Sequence, residues 1–148
     1  MPLASGSPAP PGTPPGPVVL AFFKNSCPTC QLALPVVGEL ERRYGDVLPV
    51  IAVAQDPAAA ATPWLAERGF DGELVDDADG YPLSSAHRLV TVPTLVLIDG
   101  DGTVDAVVEG WSREGYNALD TELARRAGRP SPGPVSPESD GRPPFKPG

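Results

Sequence analysis

Basic residues are scarce in this chain. Eleven Lys and Arg stand against nineteen Asp and Glu, for a formal net charge of −8 over 148 residues. A nucleic-acid-binding surface needs a basic stripe, so nucleic acid is excluded as the main partner. No apolar run reaches the length of a membrane span, so no membrane-crossing helix is expected. The start, MPLASGSPAP, lacks a basic stretch followed by an apolar one, so no signal peptide is visible and the chain reads as cytoplasmic. Cysteine is limited to Cys27 and Cys30, and His87 is the single histidine. A four-ligand zinc site would have to be completed by His87 and carboxylates. No internal repeat is present.

Proline is abundant but unevenly placed. Of 21 prolines, seven lie in residues 1–17, seven in 129–148 and seven in the long stretch between. The ends, SGSPAPPGTPPGP and PSPGPVSPESDGRPPFKPG, offer almost nothing apolar to bury. They are expected to be disordered, solvated tails around one folded domain at residues 18–128. The middle is rich in Ala, Val and Leu and long enough to build a core.

The pattern of the middle predicts β-α-β-α-β-α-β-β-α. PVVLAFF (17–23) is a short β-branched and aromatic run, a buried strand. Leu32, Leu34, Val36, Val37 and Leu40 recur at helical spacing up to Tyr44, with Pro35 as a kink and Gly45 as the stop. VLPVIAVAQD (47–56) is a second strand. Thr62 and Pro63 read as N-cap and first residue of a second helix that ends at Gly69. A short strand (73–77) and a short helix (82–89) follow. TLVLID (94–99) and TVDAVVEG (103–110) form a hairpin about GDG. Ser112 caps the last helix, which ends before Gly128. Strands separated by helices imply parallel pairing, and the hairpin adds an antiparallel edge, so an α/β fold with a mixed sheet is expected.

The chemistry concentrates in NSCPTC. A structural disulfide across three residues closes a tiny loop and stabilises little. Two thiolates alone leave a zinc site half built. The setting favours redox chemistry, because the pair falls where a buried strand hands over to a helix. There the unpaired N–H groups and the positive dipole end favour thiolate over thiol. Cys27 is expected to be the exposed nucleophile, and Cys30, one turn further in, the buried resolving thiol.

A second element is TVPT (91–94), directly before a strand. Joined to the strand, the C-x-x-C and the Pro35 kink five residues after Cys30, it resembles the thioredoxin superfamily over residues 17–127. The hairpin and EGWS complete the match. The resemblance implies a thioredoxin-like three-layer fold with a central mixed sheet flanked by helices. It also implies a cis Val92–Pro93 peptide and a substrate-binding loop of Thr91, Val92 and Pro93 that offers its backbone to a bound peptide. The long segment between the second strand and Pro93 is similar to that of TlpA-like thiol–disulfide oxidoreductases. No Pro-x-x-x-Thr-x-x-Cys pattern surrounds Cys27, which separates the chain from peroxiredoxins. The Gly-Gly and acidic pair of glutaredoxins are missing too.

The departures are specific. Ser26 stands where the superfamily usually has tryptophan, Ala21 where thioredoxins have a buried acid, and Ala33 where many TlpA-like proteins have glutamate. The implied activity is exchange of a Cys27–Cys30 disulfide with protein thiols and disulfides, by a monomer, with no metal and no cofactor beyond the dithiol. Two rivals stay open: a metallochaperone using both thiolates, for instance toward copper(I), and a redox-inert binding module. His87 reads as packing, DDADG (76–80) and DGDG (99–102) as turn chemistry, and Trp64 as core. Trp111 reads equally as core or as a substrate-contacting aromatic.

Overall fold

The run that opens the domain becomes the centre of a sheet. In the computed structural model, which describes residues 1–148, β1 (Val18–Phe23) has all six residues buried, so helices cover both of its faces. It pairs in parallel with β2 (Val50–Ala54) and antiparallel with β4 (Thr94–Ile98), placing Val19 opposite Val50 and Val18 opposite Ile98. β3 (Leu74–Asp76) lies parallel outside β2, and β5 (Val104–Glu109) antiparallel outside β4. The order is β3-β2-β1-β4-β5.

One pairing differs from expectation. The helix before β4, α3 (Pro82–Ala86), has only five residues. It spans about 7 Å, too little to carry the chain back along a strand of roughly 16 Å. The chain therefore enters β4 at the end where β1 leaves the sheet, and runs antiparallel to it. This puts the turn before β4 beside the start of α1.

Helix α1 (Pro28–Tyr44) buries Leu34, Val37, Leu40 and Tyr44, and contains Pro35. Helix α2 starts earlier than predicted, at Ala58–Glu67, with Pro63 inside it. The alanine run favours helix, and the Asp76 carboxylate reaches across from β3 to accept the Ala58 N–H at 2.9 Å. Helix α4 (Arg113–Ala127) begins as expected, with Ser112 Oγ accepting the Gly115 N–H at 3.0 Å, and stops at Gly128 with φ +68°. Buried Asp120 of α4 ties it to α1 by accepting from Tyr44 Oη at 2.6 Å and Arg43 at 3.1 Å. No helix is long and apolar enough to cross a membrane.

The ends are not solvated tails. β5 is a sheet edge, and its orphan backbone groups attract the N-terminal segment. Gly6 N–H donates to Val104 O at 2.7 Å, and Val104 N–H to Ser7 O at 2.8 Å. Thr13 Oγ1 meets His87 Nε2 at 2.9 Å. After α4 the chain folds back, burying Val135 and Ser136. Asp140, in a single helical turn (Glu138–Asp140), pairs with Arg113 at 2.7 Å. A two-residue strand β7 (Phe145–Lys146) then pairs antiparallel with β6 (Trp111–Ser112). Apolar content was the wrong guide here, because backbone pairing and arginine–carboxylate contacts hold these segments.

Candidate active site

Both cysteines enter the structure as free thiols at the N-terminus of α1. Phe23 ends β1, and a tight turn brings Cys27 N–H to Lys24 O at 3.3 Å. Pro28 then occupies the first helical turn, where its missing N–H costs nothing. Cys27 is the N-cap itself, with extended backbone (φ −88°, ψ 115°), and its sulfur accepts the Cys30 N–H at 3.2 Å. The sulfur thus takes the place a Ser or Asp oxygen holds in most caps.

The thiols differ sharply. Cys30 is fully buried, and burial, helped by the hydrogen bond with Cys27, pushes its ionisation far above the ordinary thiol value. Cys27 faces an open cleft of about 420 Å³, lined also by Lys24, Gln55, Leu89, Val90, Thr91 and Val92. It is nevertheless only 5 % exposed, which corrects the expectation of an exposed nucleophile. Its own capping position and the turn before β4 enclose it. The Cys27 S–H donates to Val92 O at 3.4 Å.

The structure therefore brings Cys27, Thr91 and Val92 to one cleft. Pro93 is buried behind them and does not line it. The Val92–Pro93 peptide is cis. The turn is held by Gly110 N–H on Pro93 O at 2.8 Å and by Thr94 Oγ1 on Thr91 O at 2.8 Å. Sequence reasoning missed Lys24 and Gln55, and also Gly148, which closes one side of the cleft. None of these carries a motif, and only the topology places them there.

The other chemistry-bearing residues have structural jobs. His87 is buried, its ring tilted 5.4 Å from Phe22. Asp77 caps α3, accepting the Leu83 and Ser84 N–H groups at 2.8 and 2.9 Å. Asp101 Oδ1 closes the β4–β5 turn on Thr103. Trp111 is fully buried against Tyr116, at 4.6 Å between ring centroids. Half-buried Trp64 stacks on Phe23 at 5.3 Å. No third His, Cys, Asp or Glu joins the two thiols in a metal-holding group.

No protein-family model matches the chain, and no curated protein matches it by sequence. Solved structures do match. A Chlorobium tepidum protein assigned as thiol:disulfide interchange protein DsbE is 23 % identical, with a TM-score of 0.72 over 85 % of this chain and 99 % of that one. DsbF of MTB, solved in mixed oxidised and reduced forms, is 27 % identical, with a TM-score of 0.59 over 75 % of this chain and 78 % of its own. A thioredoxin-like protein in its oxidised form is 24 % identical, with a TM-score of 0.66 over 82 % and 95 %. The mixed five-stranded sheet and its helices are the thioredoxin-like fold.

Proposed function

We propose that this thioredoxin-fold chain is a thiol–disulfide oxidoreductase whose Cys27–Cys30 pair exchanges with partner proteins. One observation carries the reading. Two thiols share the start of a helix, Cys30 with no exposure and Cys27 at the edge of a cleft lined by Thr91 and Val92. The solved DsbE- and DsbF-type structures similar to this chain support the same chemistry.

In the reducing direction, the Cys27 thiolate attacks one sulfur of a partner disulfide. A Cys27–partner disulfide forms, and the other partner sulfur leaves as a thiolate. Cys30 then loses its proton, and its sulfur attacks Cys27 Sγ. The Cys27–Cys30 disulfide forms and the second partner sulfur departs. The partner gains two electrons and two protons, one of them from Cys30. Run backward, the same steps oxidise a partner dithiol. Burial raises the cost of ionising Cys30, and Ala21 leaves no carboxylate on β1 to accept its proton. The departing partner thiolate, directly or through water, is the base at hand.

The helix start contributes in two ways. Its unpaired N–H groups and positive dipole end are directed at the capping residue, here Cys27. The Cys30 N–H, already 3.2 Å from the Cys27 sulfur, needs no rearrangement to serve it. Thr91 and Val92 supply the backbone against which an extended substrate would lie.

The test is reduction of insulin by dithiothreitol, followed by turbidity. Wild type should accelerate it and Cys27→Ser should not. Equal rates for the two would overturn the reading.

A further inference from the structure

One side of the cleft is closed by a segment of its own chain. Residues 142–148 cross the start of α1 toward the Thr91–Val92 turn, held through proline carbonyls. Trp111 Nε1 donates to Pro143 O at 2.7 Å, Arg113 N–H to Pro144 O at 3.0 Å, and Thr29 Oγ1 to Pro147 O at 2.7 Å. Thr29 is the residue between Pro28 and Cys30, so this last bond is made within the C-x-x-C segment itself. Upstream, Arg142 Nε donates to Leu32 O at 2.9 Å. Proline has no N–H, so this strand offers acceptors without stranding donors, and its fixed φ lowers the entropy lost on docking.

The fit is close at the far end. A Cβ on Gly148 would collide with Thr91 Oγ1 and with the Val92 carbonyl, the same carbonyl that receives the Cys27 S–H. Yet the segment buries little of itself. Phe145 and Lys146 point to solvent, and Pro143, Pro144, Pro147 and Gly148 are exposed too. A strand held by a few hydrogen bonds and no apolar anchor opens more readily than the core beneath it.

We propose that residues 142–148 act as an intramolecular plug, docked where an extended polypeptide approaches Cys27, which a partner must displace to reach the sulfur. The partner that competes best is an extended, proline-containing segment presenting backbone carbonyls. The regulatory consequence rests on the oxidoreductase reading, whereas the docking of the segment beside the cleft does not.

The test compares the full chain with a truncation after Gly141 and with full-length Arg142→Ala, each checked for folding by circular dichroism. The readout is iodoacetamide alkylation of Cys27 at neutral pH, together with insulin reduction. Release of the plug should raise the alkylation rate roughly threefold or more, as expected for a locally opening segment. A synthetic GRPPFKPG peptide added to the truncated chain should slow it again. Equal or slower alkylation in the folded variants overturns the plug. If the truncated chain does not fold, Arg142→Ala decides in the same way. Faster alkylation without insulin reduction by any variant supports the plug and overturns the oxidoreductase reading. Equal alkylation with full insulin reduction does the reverse.

Discussion

Asp77 offers the clearest test of how the cleft wall is supported. Its buried carboxylate accepts Leu83 N–H at 2.8 Å, Ser84 N–H at 2.9 Å and Ser84 Oγ at 2.7 Å. It therefore caps α3, and α3 leads directly into Leu89, Val90 and Thr91 of the cleft. Asp77→Ala leaves two buried N–H groups without an acceptor, at about 1–3 kcal/mol each. The Ser84 hydroxyl loses its acceptor too and keeps only the bond it accepts from Gln55 Nε2 at 3.1 Å. The expected loss is about 4 kcal/mol, or about 8–16 °C in Tm for a chain of this size. Asp77→Asn keeps one acceptor oxygen and should lose about half as much. Urea melts followed by tryptophan fluorescence measure both. A loss under about 1 kcal/mol for Asp77→Ala would refute the capping argument, since even one stranded N–H costs that much.

Burial holds His87 below its ordinary value of 6.5, with Asp77 pulling the other way. The unfolded ring takes a proton that the folded ring refuses, so stability should fall as pH drops below about 6.5 and level off once the folded ring protonates. His87→Gln should flatten that slope in melts between pH 7 and 5, and an unchanged slope would assign the acid sensitivity elsewhere. Gly110 has φ +67°, and a Cβ there would lie 2.9 Å from Lys146 O. Gly110→Ala should therefore cost about 1–3 kcal/mol, and a cost near zero in the same melts would contradict the close approach of residues 142–148. In the reduced wild type, iodoacetamide should label Cys27 well before Cys30, which is fully buried and hard to ionise. Equal labelling rates, resolved by peptide mass spectrometry, would contradict the assigned asymmetry.

The sequence exposed what short-range patterns encode. The apolar run of β1, the helical spacing after Cys30, the Ser112 cap and the Gly128 stop all follow from neighbours within a few residues, and the structure has each of them. The cysteine pair and Thr91–Val92 meet because β1 and β4 leave from the same end of the sheet. Only the resemblance to the thioredoxin superfamily implies that meeting, since no local pattern encodes it. Features that depend on distant partners stayed hidden. Asp76 starts α2 at Ala58 from 18 residues away, so Thr62 and Pro63 looked like the start. Trp111 could be read as core or surface because the chain that covers its indole N–H arrives 32 residues later. The proline-rich ends carry no hydrophobic period. Backbone pairing and the hydrogen bonds that hold Asp140 and Arg142 leave none in a sequence.

Asp140 anchors that last segment. Burial pushes its carboxyl up, but hydrogen bonds from Ser136, the Arg142 backbone, Arg113 and the Arg142 side chain outweigh this and hold it well below the usual carboxylate range. A carboxylate so held contributes its full stability above its unfolded pKa and loses it progressively as pH falls below the ordinary value of 3.8. The docked end is therefore a feature of the protein at neutral pH, where thiol exchange operates.

The central claim is that Cys27 is the attacking sulfur and Cys30 the resolving one. Trapping tests it most directly. A Cys30→Ser chain incubated with a disulfide-bonded protein should accumulate a mixed disulfide, mapped by mass spectrometry to Cys27, because nothing remains to resolve it. Cys27→Ser should trap almost nothing, its remaining thiol being buried and protonated. Trapping through Cys30, or equal trapping by both variants, would contradict the account.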